Sequence, residues 1–241
     1  MNDSIVIIPT YNEIENIEAV IKAVFSLKKS FDILIVDDNS PDKTAEKVTE
    51  LQNEFPDRLF LINRTKKSGL GTAYVKGFKW GLKNNYEYIF EMDADFSHNP
   101  NDLERLYEAC HSNGADLAIG SRYVTGVNVV NWPLSRVLLS YFASVYVRLI
   151  TGMQVMDTTA GFICYRRKVL ENVNLEKIKF IGYAFQIEMK YRAFARNFKI
   201  QEVPVIFTDR TKGESKMSGS IIKEALFGVI SLRLRKMLNR L

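Results

Sequence analysis

Asp93 and Asp95 lie one residue apart at the end of an apolar stretch, and the chain then turns at Asn99-Pro100. In an extended segment residues i and i+2 share a face, so both carboxylates can reach one ligand or cation. Hard cations such as Mg²⁺ take carboxylate oxygens and leave positions open for substrate phosphates. The pair therefore predicts a metal and diphosphate site at the end of a buried strand.

A second acidic pair, Asp37 and Asp38, follows the apolar stretch 33–36. An isolated Asp-x-Asp is more often an acidic turn that caps the next helix, because short motifs match by chance. If both pairs end strands of one parallel sheet, however, they project from the same edge, where such sheets bind ligands. Two acidic pairs on one edge favour a binding site over a turn.

The alternation of strand and helix patterns predicts an α/β fold with a mostly parallel, Rossmann-like sheet, since helical crossovers of this length join parallel strands. Strands are predicted at 5–8, 33–36, 58–62, 88–92, 117–120, 162–166 and 200–207. Helices are predicted at 14–25, from 41, from 70, and at 100–112, 133–151, 183–197 and 221–241. Asn12 and Ser40 are the predicted caps of the first two helices.

Two further segments have a composition that suits phosphate binding. Gly69-Leu70-Gly71-Thr72 opens a helix and is compatible either with a phosphate cradle or with a tight turn. The polar segment 209–218 carries cations at Arg210, Lys212 and Lys216. A basic loop of this kind is suited to closing over a diphosphate, although a solvated run of charges has the same composition.

Size and composition indicate one main folded domain. The chain has 241 residues, 46% of them hydrophobic and 25% charged, and a formal net charge of +5. Eight basic residues against two acidic ones after position 209 indicate an anionic partner. We therefore expect a catalytic domain over 1–209, followed over 210–241 by a basic closing loop and an amphipathic helix.

The cysteines and the apolar runs indicate the cellular compartment in which the protein is expected to work. Cys110 and Cys164 are the only cysteines and indicate neither a disulfide framework nor a zinc site, which favours a reducing cytoplasmic setting. No signal peptide is evident. The longest uncharged apolar runs, 137–147 and 225–232, are shorter than the roughly 18 residues of a membrane span. Either run could still lie on a membrane surface.

In its motifs the chain resembles the family-2 glycosyltransferases, and within them the dolichyl (polyprenyl) phosphate mannose synthases. The match follows family order along nearly the whole chain. The segments that carry it are Ile8-Pro9-Thr10-Tyr11-Asn12-Glu13, Val36-Asp37-Asp38-Asn39-Ser40-Pro41-Asp42, Gly69-Leu70-Gly71-Thr72, Asp93-Ala94-Asp95-Phe96-Ser97-His98, Gly120-Ser121-Arg122-Tyr123, Asn131-Trp132-Pro133 with Arg136, Asp157-Thr158-Thr159-Ala160-Gly161-Phe162, and the segment from Arg210 to Lys216.

The resemblance implies a glycosyltransferase A-type fold, a GDP-mannose donor, a polyprenyl (dolichyl) phosphate acceptor and Mg²⁺ or Mn²⁺. By motif, Asp93, Ala94 and Asp95 would hold the metal and the diphosphate. Some relatives carry a Gln ligand where this chain has Ser97. The residues implied for the nucleoside are Pro9, Tyr11, Glu13, Val36 and Asp38; those for the donor phosphates are Arg210 and Lys216; those for the acceptor phosphate are Arg122, Arg136 and Ser140.

The resemblance also sets expectations about the membrane and the reaction. Many relatives append transmembrane helices, which are not expected here, so amphipathic segments or a membrane-protein partner would give peripheral access to the cytoplasmic face. A lipid phosphate is already anionic at neutral pH and needs charge compensation rather than a base. His98 and His111 are the only histidines, and His111 is expected to be structural. We therefore expect inverting transfer without an obligatory general base.

Other functions fit parts of the pattern. A UDP-glucose-dependent prenyl-phosphate glucosyltransferase and a transferase acting on a soluble glycan share the same motifs. A receiver-like signalling domain also places acidic residues on a parallel sheet, but it has about half this length. Nucleic-acid binding is disfavoured because the cations accompany acidic clusters.

Overall fold

The computed structural model describes residues 2–182, 184–209 and 219–238, and side chains are described outside 219–226. Its larger sheet is built from β1 (Ser4–Thr10), β2 (Asp32–Asp37), β3 (Leu59–Asn63), β4 (Tyr88–Glu91), β5 (Leu117–Ser121), β7 (Ile163–Arg166) and β8 (Ile200–Pro204). A two-stranded sheet pairs β6 (Val129–Val130) with β9 (Phe207–Thr208).

The larger sheet has the strand order β3-β2-β1-β4-β7-β5-β8. All pairs are parallel except the two that β7 makes, because β7 runs antiparallel between β4 and β5. The mostly parallel α/β fold predicted from the sequence is therefore confirmed. Since β1, β2 and β4 are parallel, the acidic pairs at the end of β2 and after β4 lie at the same edge, as expected.

Helices cover both faces of this sheet. They are α1 (Ile17–Phe25), α2 (Thr44–Gln52), α3 (Leu70–Lys83), α4 (Asp102–His111), α5 (Leu134–Thr151), α6 (Arg167–Asn172), α7 (Ala184–Ala195) and α8 (Gly219–Met237), with a 3₁₀ turn at Leu175–Lys177. Alternate residues of the central strands enter two separate cores, since side chains alternate across a strand. Ile5 and Ile7 belong to one core, while Val6 and Ile8 belong to the other.

The two predicted helix caps are wrong. The first helix begins at Ile17 rather than near Asn12, whose φ of 57° places it in a turn. The second begins at Thr44, and the Ser40 hydroxyl instead donates a 2.6 Å hydrogen bond to Asp37. Both side chains belong to the two loops above the sheet edge, so the helices start one turn later than their local signals suggest.

The uncharged run 137–147, which is too short for a membrane span, lies inside the longer helix α5. This helix also includes Arg136 and Arg148. Among the described residues it is the single helix with the length and composition of a membrane span. Only 17% of its residues are buried. A single helix of this kind is weak evidence for a membrane span. The exposed apolar residues of α5 fit a surface that binds an apolar ligand equally well.

α8 packs against α5 and α7. A Cβ placed on Gly228 would lie 2.5 Å from the ring of Phe180, so a larger residue at this position would displace that ring. The predicted division at residue 209 remains a prediction, and the proposed closing loop at 210–218 lies outside the described residues.

Candidate active site

Side-chain hydrogen bonds join the β1–α1 loop to the β2–α2 loop. Asp37 is fully buried and accepts hydrogen bonds from the Thr10 hydroxyl at 2.8 Å and from the Ser40 backbone N–H at 2.8 Å. The Asn12 and Glu13 backbone N–H groups donate to the hydroxyls of Ser40 at 3.0 Å and Thr44 at 3.1 Å. Asp37 therefore stabilises the loops that shape this edge of the sheet.

Asp38 faces the start of α3. It pairs with Arg64, whose Nη1 also donates a 2.7 Å hydrogen bond to the Thr72 hydroxyl. The Gly71 backbone N–H donates to the Ile181 carbonyl at 2.9 Å. Because that N–H is engaged, the geometry favours the tight turn over the phosphate cradle for the glycine segment.

The Asp93–His98 segment forms a compact loop beyond β4. The Asp93 backbone N–H donates to His98 Nδ1 at 3.1 Å, and the Ser97 backbone N–H donates to Asp95 Oδ1 at 3.0 Å. The His98 ring stacks on Phe162 with centroids 4.8 Å apart. Burial lowers the pKa of His98 to about 4. The neutral imidazole therefore supports the Asp93 backbone, while the Ser97 backbone N–H positions the Asp95 carboxylate.

The two carboxylates open into a cavity of about 460 Å³. Arg122, Arg136 and Ser140 line it as well, so the structure brings the predicted metal ligands and the predicted acceptor residues into one cavity. Its apolar wall comes largely from α5, with a contribution from α8. The apolar and aromatic residues of these two helices that line it are Leu139, Phe142, Ala143, Tyr146, Val147 and Val229.

Arg122 is a buried cation held by Asp157. Its Nε and Nη2 donate to the two carboxylate oxygens at 2.7 Å and 2.6 Å, and Nη2 also donates to the Thr159 hydroxyl at 2.8 Å. Burial alone would raise the pKa of Asp157, but the Arg122 guanidinium outweighs it and holds that pKa below its ordinary value. The pair fixes the Arg122 guanidinium at the cavity wall.

Arg136, on α5, is more exposed than Arg122. Its Nη1 donates to Asp209 at 2.8 Å, and its guanidinium lies 4.0 Å from the centroid of the Trp132 ring. Its side chain is 29% exposed, against 8% for that of Arg122. Arg136 is therefore the more accessible of the two cavity cations to an entering anion.

A buried polar network lies behind the carboxylates. Glu91, at the end of β4, accepts hydrogen bonds from Tyr165 at 3.0 Å and from the Gln186 side-chain amide. Lys190 Nζ donates to the Ala160 carbonyl at 2.5 Å. Burial raises the pKa of Glu91 to about 8 and lowers the pKa of Lys190 to about 8. These groups connect β4, β7 and α7 beneath the cavity.

The remaining predicted donor residues lie along the same edge. Tyr11 is half-buried, with Lys67 Nζ 4.2 Å from its ring centroid, while Glu13 is buried and accepts a 3.1 Å hydrogen bond from Asn16. Pro9 is half-buried, Ala94 is buried, and the Val36 side chain lies fully inside the core. Their ligand contacts remain predictions. Arg210 and Lys216 lie outside the described residues.

Several residues of the site were not singled out from the sequence. Asp157 and Thr159 belong to a segment that the resemblance did include, and the run Asp157-Thr158-Thr159 was the available signal. Gln186 and Asp209 also line the cavity, but no local pattern marks them. His111 contacts the hydroxyls of Tyr88 and Tyr107 at 3.2 Å and 3.1 Å, outside the cavity lining, which agrees with a structural role.

The donor set fits a hard divalent cation. Asp93 and Asp95 offer carboxylate oxygens, and the buried Ser97 hydroxyl beside them has no hydrogen-bond partner among the described residues. No cluster of three or more His, Cys, Asp or Glu side chains suited to a metal occurs in the described part of the chain. Mg²⁺ and Mn²⁺ need few protein ligands when substrate phosphates complete the coordination. The fit is therefore to a metal bound together with a diphosphate.

Comparison with known proteins identifies the family. The family model described as glycosyl transferase family 2 matches residues 5–173. This chain belongs to glycosyl transferase family 2. The resemblance inferred from the motifs is thereby confirmed, and the alternative of a receiver-like domain is not supported.

Three known proteins illustrate the similarity in sequence and in fold. The chain is 48% identical to a polyprenol monophosphomannose synthase of Mycolicibacterium smegmatis over 98% of its own length and 89% of that protein. It is 44% identical to an undecaprenyl-phosphate mannosyltransferase of Micrococcus luteus over 92% and 90% of the two chains. Its fold matches a Pyrobaculum calidifontis mannosyltransferase, solved with GDP-Man and Mn²⁺, with a TM-score of 0.59, 15% identity and coverage of 99% and 72%.

Proposed function

We propose that this protein transfers mannose from GDP-mannose to the phosphate of a polyprenyl (dolichyl) phosphate, with inversion at the sugar carbon. The observation that carries the proposal is the single cavity in which Asp93 and Asp95 face Arg122 and Arg136 beside an apolar helical wall. Two relatives with more than 40% identity are named as mannosyltransferases or synthases of this lipid-phosphate class. The apolar wall suits an isoprenoid chain and the cations suit its phosphate.

The charge of the acceptor phosphate determines which groups the protein must supply. A phosphate monoester is anionic at neutral pH, so its oxygen is already nucleophilic and needs no deprotonation. Arg122 and Arg136 would bind and orient that oxygen while compensating its charge. Asp157 keeps the Arg122 guanidinium in one orientation, and Ser140 lines the same cavity. Orientation of the acceptor by two cations that differ in exposure is the chief contribution we assign to these residues.

His98 does not suit the role of a general base. Its Nδ1 already accepts the Asp93 backbone N–H, which leaves the proton of the neutral ring on Nε2. Such a ring has no lone pair free to take a proton from an acceptor. The geometry of His98 thus supports the expectation of transfer without an obligatory base.

The donor would lie along the strand ends. The ends of β1 and β2 and the loops that follow them would hold the nucleoside through Pro9, Tyr11, Glu13, Val36 and Asp38. Asp93 and Asp95, with Ser97 beside them, would hold Mg²⁺ or Mn²⁺, which when bound compensates the negative charge that develops on the departing diphosphate. Arg210 and Lys216 would add positive charge from the segment after Asp209. The neighbour solved with GDP-Man and Mn²⁺ supports this choice of donor and metal.

Peripheral contact with the cytoplasmic face of a membrane completes the proposal. The acceptor is a lipid, and the cavity wall from α5 continues into apolar side chains on the outside of the molecule, including Leu134 and Leu149, which are 71% and 79% exposed. A membrane surface would cover these side chains and supply the acceptor at the cavity. A membrane-protein partner would serve the same end.

Transfer of labelled sugar from GDP-mannose to a short polyprenyl phosphate tests the proposal directly. UDP-glucose is the competing donor, and a soluble mannose oligomer is the competing acceptor. We expect labelled lipid only from GDP-mannose with polyprenyl phosphate. Labelled lipid from UDP-glucose, or label in the soluble glycan alone, would replace the proposed function with the corresponding alternative.

A further inference from the structure

One aromatic ring of the cavity, that of Trp132, contacts both of the arginines that line it. The guanidinium carbon of Arg136 lies 4.0 Å from the centroid of this ring, and that of Arg122 lies 5.3 Å from it. Within about 6 Å, a guanidinium over an aromatic face is attracted by the negative side of the ring quadrupole. Arginine stays protonated in proteins, so neither contact depends on a titrating group. A single indole therefore stabilises two positive charges.

The position of the ring is set by the two-stranded sheet. Trp132 follows β6 by two residues, and β6 pairs with β9 so that Val129 lies opposite Phe207. The rings of Trp132 and Phe207 meet edge to face with centroids 5.2 Å apart. Phe207 in turn meets the His98 ring edge to face, with centroids 5.4 Å apart. Phe207 thus anchors the indole to the loop that carries the predicted metal ligands.

The start of α5 brings the cation of Arg136 to this ring. Trp132 directly precedes Pro133, the N-cap of α5, and the Arg136 backbone N–H donates to the Pro133 carbonyl at 2.9 Å. The first turn of the helix therefore carries the Arg136 side chain back over the indole. Ring and cation are placed by the same few residues of backbone.

Arg136 needs this support more than Arg122 does. The Arg122 guanidinium is held by both oxygens of the buried Asp157 carboxylate, and its side chain is 8% exposed. Arg136 pairs with Asp209 at 2.8 Å, but its side chain is 29% exposed. A long exposed side chain has many accessible rotamers, and two like charges in one cavity repel each other. Stacking on Trp132 opposes the movement of Arg136 into solvent.

We propose that Trp132 is a positioning residue for the acceptor, whose indole keeps the guanidiniums of Arg122 and Arg136 turned toward one phosphate monoester. This inference rests on the proposed function, which takes that phosphate to be the one of polyprenyl phosphate. Without the ring, Arg136 turns outward and the phosphate meets the buried Arg122 alone. The contacts of Trp132 are with acceptor residues, so its loss affects the acceptor and not the nucleotide.

Equilibrium binding of a short polyprenyl phosphate, measured without donor, tests this role. Trp132→Leu should bind the lipid about threefold to thirtyfold more weakly, the size of a lost cation–π contact, and should bind GDP with Mn²⁺ within about twofold of the wild type. Trp132→Phe keeps an aromatic face and should lie closer to the wild type than to Trp132→Leu. Equal losses in the two variants, or equal weakening of the lipid and of GDP, would overturn the proposal.

Trp80→Leu is the matched control for the loss of a tryptophan. The Trp80 ring packs on Phe60 and Tyr86 and does not line the cavity. This variant should bind both ligands as the wild type does. A loss of lipid affinity equal to that of Trp132→Leu would overturn the proposal, because it would assign the effect to general packing.

Fluorescence gives a test that leaves the cavity intact. The chain has two tryptophans, so Trp132 is the single one in Trp80→Phe. Polyprenyl phosphate should change the Trp132 emission saturably, because it brings a negative charge to the cations beside the indole. The uncharged polyprenol and inorganic phosphate at the same concentrations should change it much less. An unchanged emission, or an equal change with either control, would overturn the proposal even if Trp132→Leu failed to fold.

The binding and fluorescence measurements need no sugar donor, which keeps this inference distinct from the proposed function. If Trp132→Leu weakens lipid phosphate binding while the wild type transfers no mannose, the positioning role is supported and the proposed function is overturned. If the wild type transfers mannose and Trp132→Leu binds the lipid normally, the positioning role alone is overturned.

Discussion

The Arg122 guanidinium and the Asp157 carboxylate form two parallel hydrogen bonds of 2.7 Å and 2.6 Å, with both side chains withdrawn from solvent. The Arg122 backbone N–H adds a third bond to the same carboxylate at 2.9 Å. Asp157 in turn is positioned by its own backbone N–H, which donates to Glu202 at 2.9 Å. A cation that faces the cavity is thus oriented by two acidic residues that contribute no lining atoms.

Asp157→Asn should destabilise the fold substantially. Removing one partner of a buried ion pair leaves an uncompensated charge and costs about 3–5 kcal/mol. Denaturant unfolding at neutral pH should therefore show a fall of that size in the free energy of unfolding. Arg105→Gln is the matched control, because the Arg105–Asp102 pair is exposed at the arginine, and it should change stability by less than about 1 kcal/mol. A comparable loss in both variants would contradict the special role of the buried pair.

The same pair predicts an acid dependence of stability. Although burial opposes it, Arg122 holds the pKa of Asp157 below its ordinary value of 3.8, so the stabilisation is present above pH 4 and is lost as the pH falls through the lower folded-state pKa. The difference in unfolding free energy between wild type and Asp157→Asn should be constant from about pH 5 to pH 8 and shrink below about pH 4. A difference that grows on acidification would show that Arg122 does not hold this pKa down.

Arg136→Gln should weaken binding of the acceptor more than binding of the donor. A charge-assisted hydrogen bond to phosphate is worth about 1.5–3 kcal/mol, so KM for polyprenyl phosphate should rise about tenfold to hundredfold. KM for GDP-mannose should stay within about twofold. Arg148→Gln on the same helix is the control, since Arg148 contacts Met156 and does not line the cavity. A rise in the donor KM alone would move Arg136 to the donor side.

The parts of this structure that the sequence predicted are those with a local cause. Continuous apolar runs predicted the central strands, and the acidic pairs at the ends of β2 and β4 predicted the edge that carries the candidate site, because parallel strands share an edge. The insertion of β7 between β4 and β5 has no such signal, since a four-residue strand does not encode its direction. The caps failed because Ser40 bonds to the neighbouring loop instead of its own helix.

The hydrogen bonds that support the site could not be predicted from the sequence either, and the reason is physical. Arg122 and Asp157 are 35 residues apart, and Gln186 and Glu91 are 95 residues apart. Hydrogen bonds over such distances leave no periodicity or spacing in the chain. The residues proposed to bind ligands were recognisable as motifs, whereas the residues that orient them became visible only when the strands and α7 were assembled.

Asp95→Ala should weaken metal binding without unfolding the protein. Asp95 lines the cavity from the loop after β4, and it belongs to neither of the two hydrophobic cores. Electron paramagnetic resonance of Mn²⁺ in the presence of GDP should show affinity reduced at least about tenfold, with loss of transfer. Asp116→Ala, which removes a pair with Lys168 away from the cavity, should bind Mn²⁺ normally. Unchanged Mn²⁺ affinity in Asp95→Ala would remove this residue from the metal site.

Lys190→Met should change how stability depends on alkaline pH. Burial lowers the pKa of Lys190 to about 8 from an ordinary value of 10.5, so between these values the unfolded chain holds a proton that the folded chain has lost. Wild-type stability should therefore rise relative to Lys190→Met from about pH 8 to pH 10.5, by at most about 1.4 kcal/mol per pH unit. Urea unfolding of both proteins across this range measures the difference. A constant difference would mean that Lys190 titrates at its ordinary pKa.

Removing apolar side chains from the outer face of α5 should weaken membrane binding. Leu134, Leu138, Phe142 and Leu149 are all exposed and fall within a stripe about 80° wide at helical spacing. Each buried leucine contributes about 1.5–3 kcal/mol, so Leu134→Ser with Leu149→Ser should reduce binding to anionic vesicles at least about tenfold in flotation. Ile206→Ser removes an exposed apolar residue outside α5 and α8 and should bind as the wild type does. Equal flotation of all three proteins would mean that this face of α5 does not contact lipid.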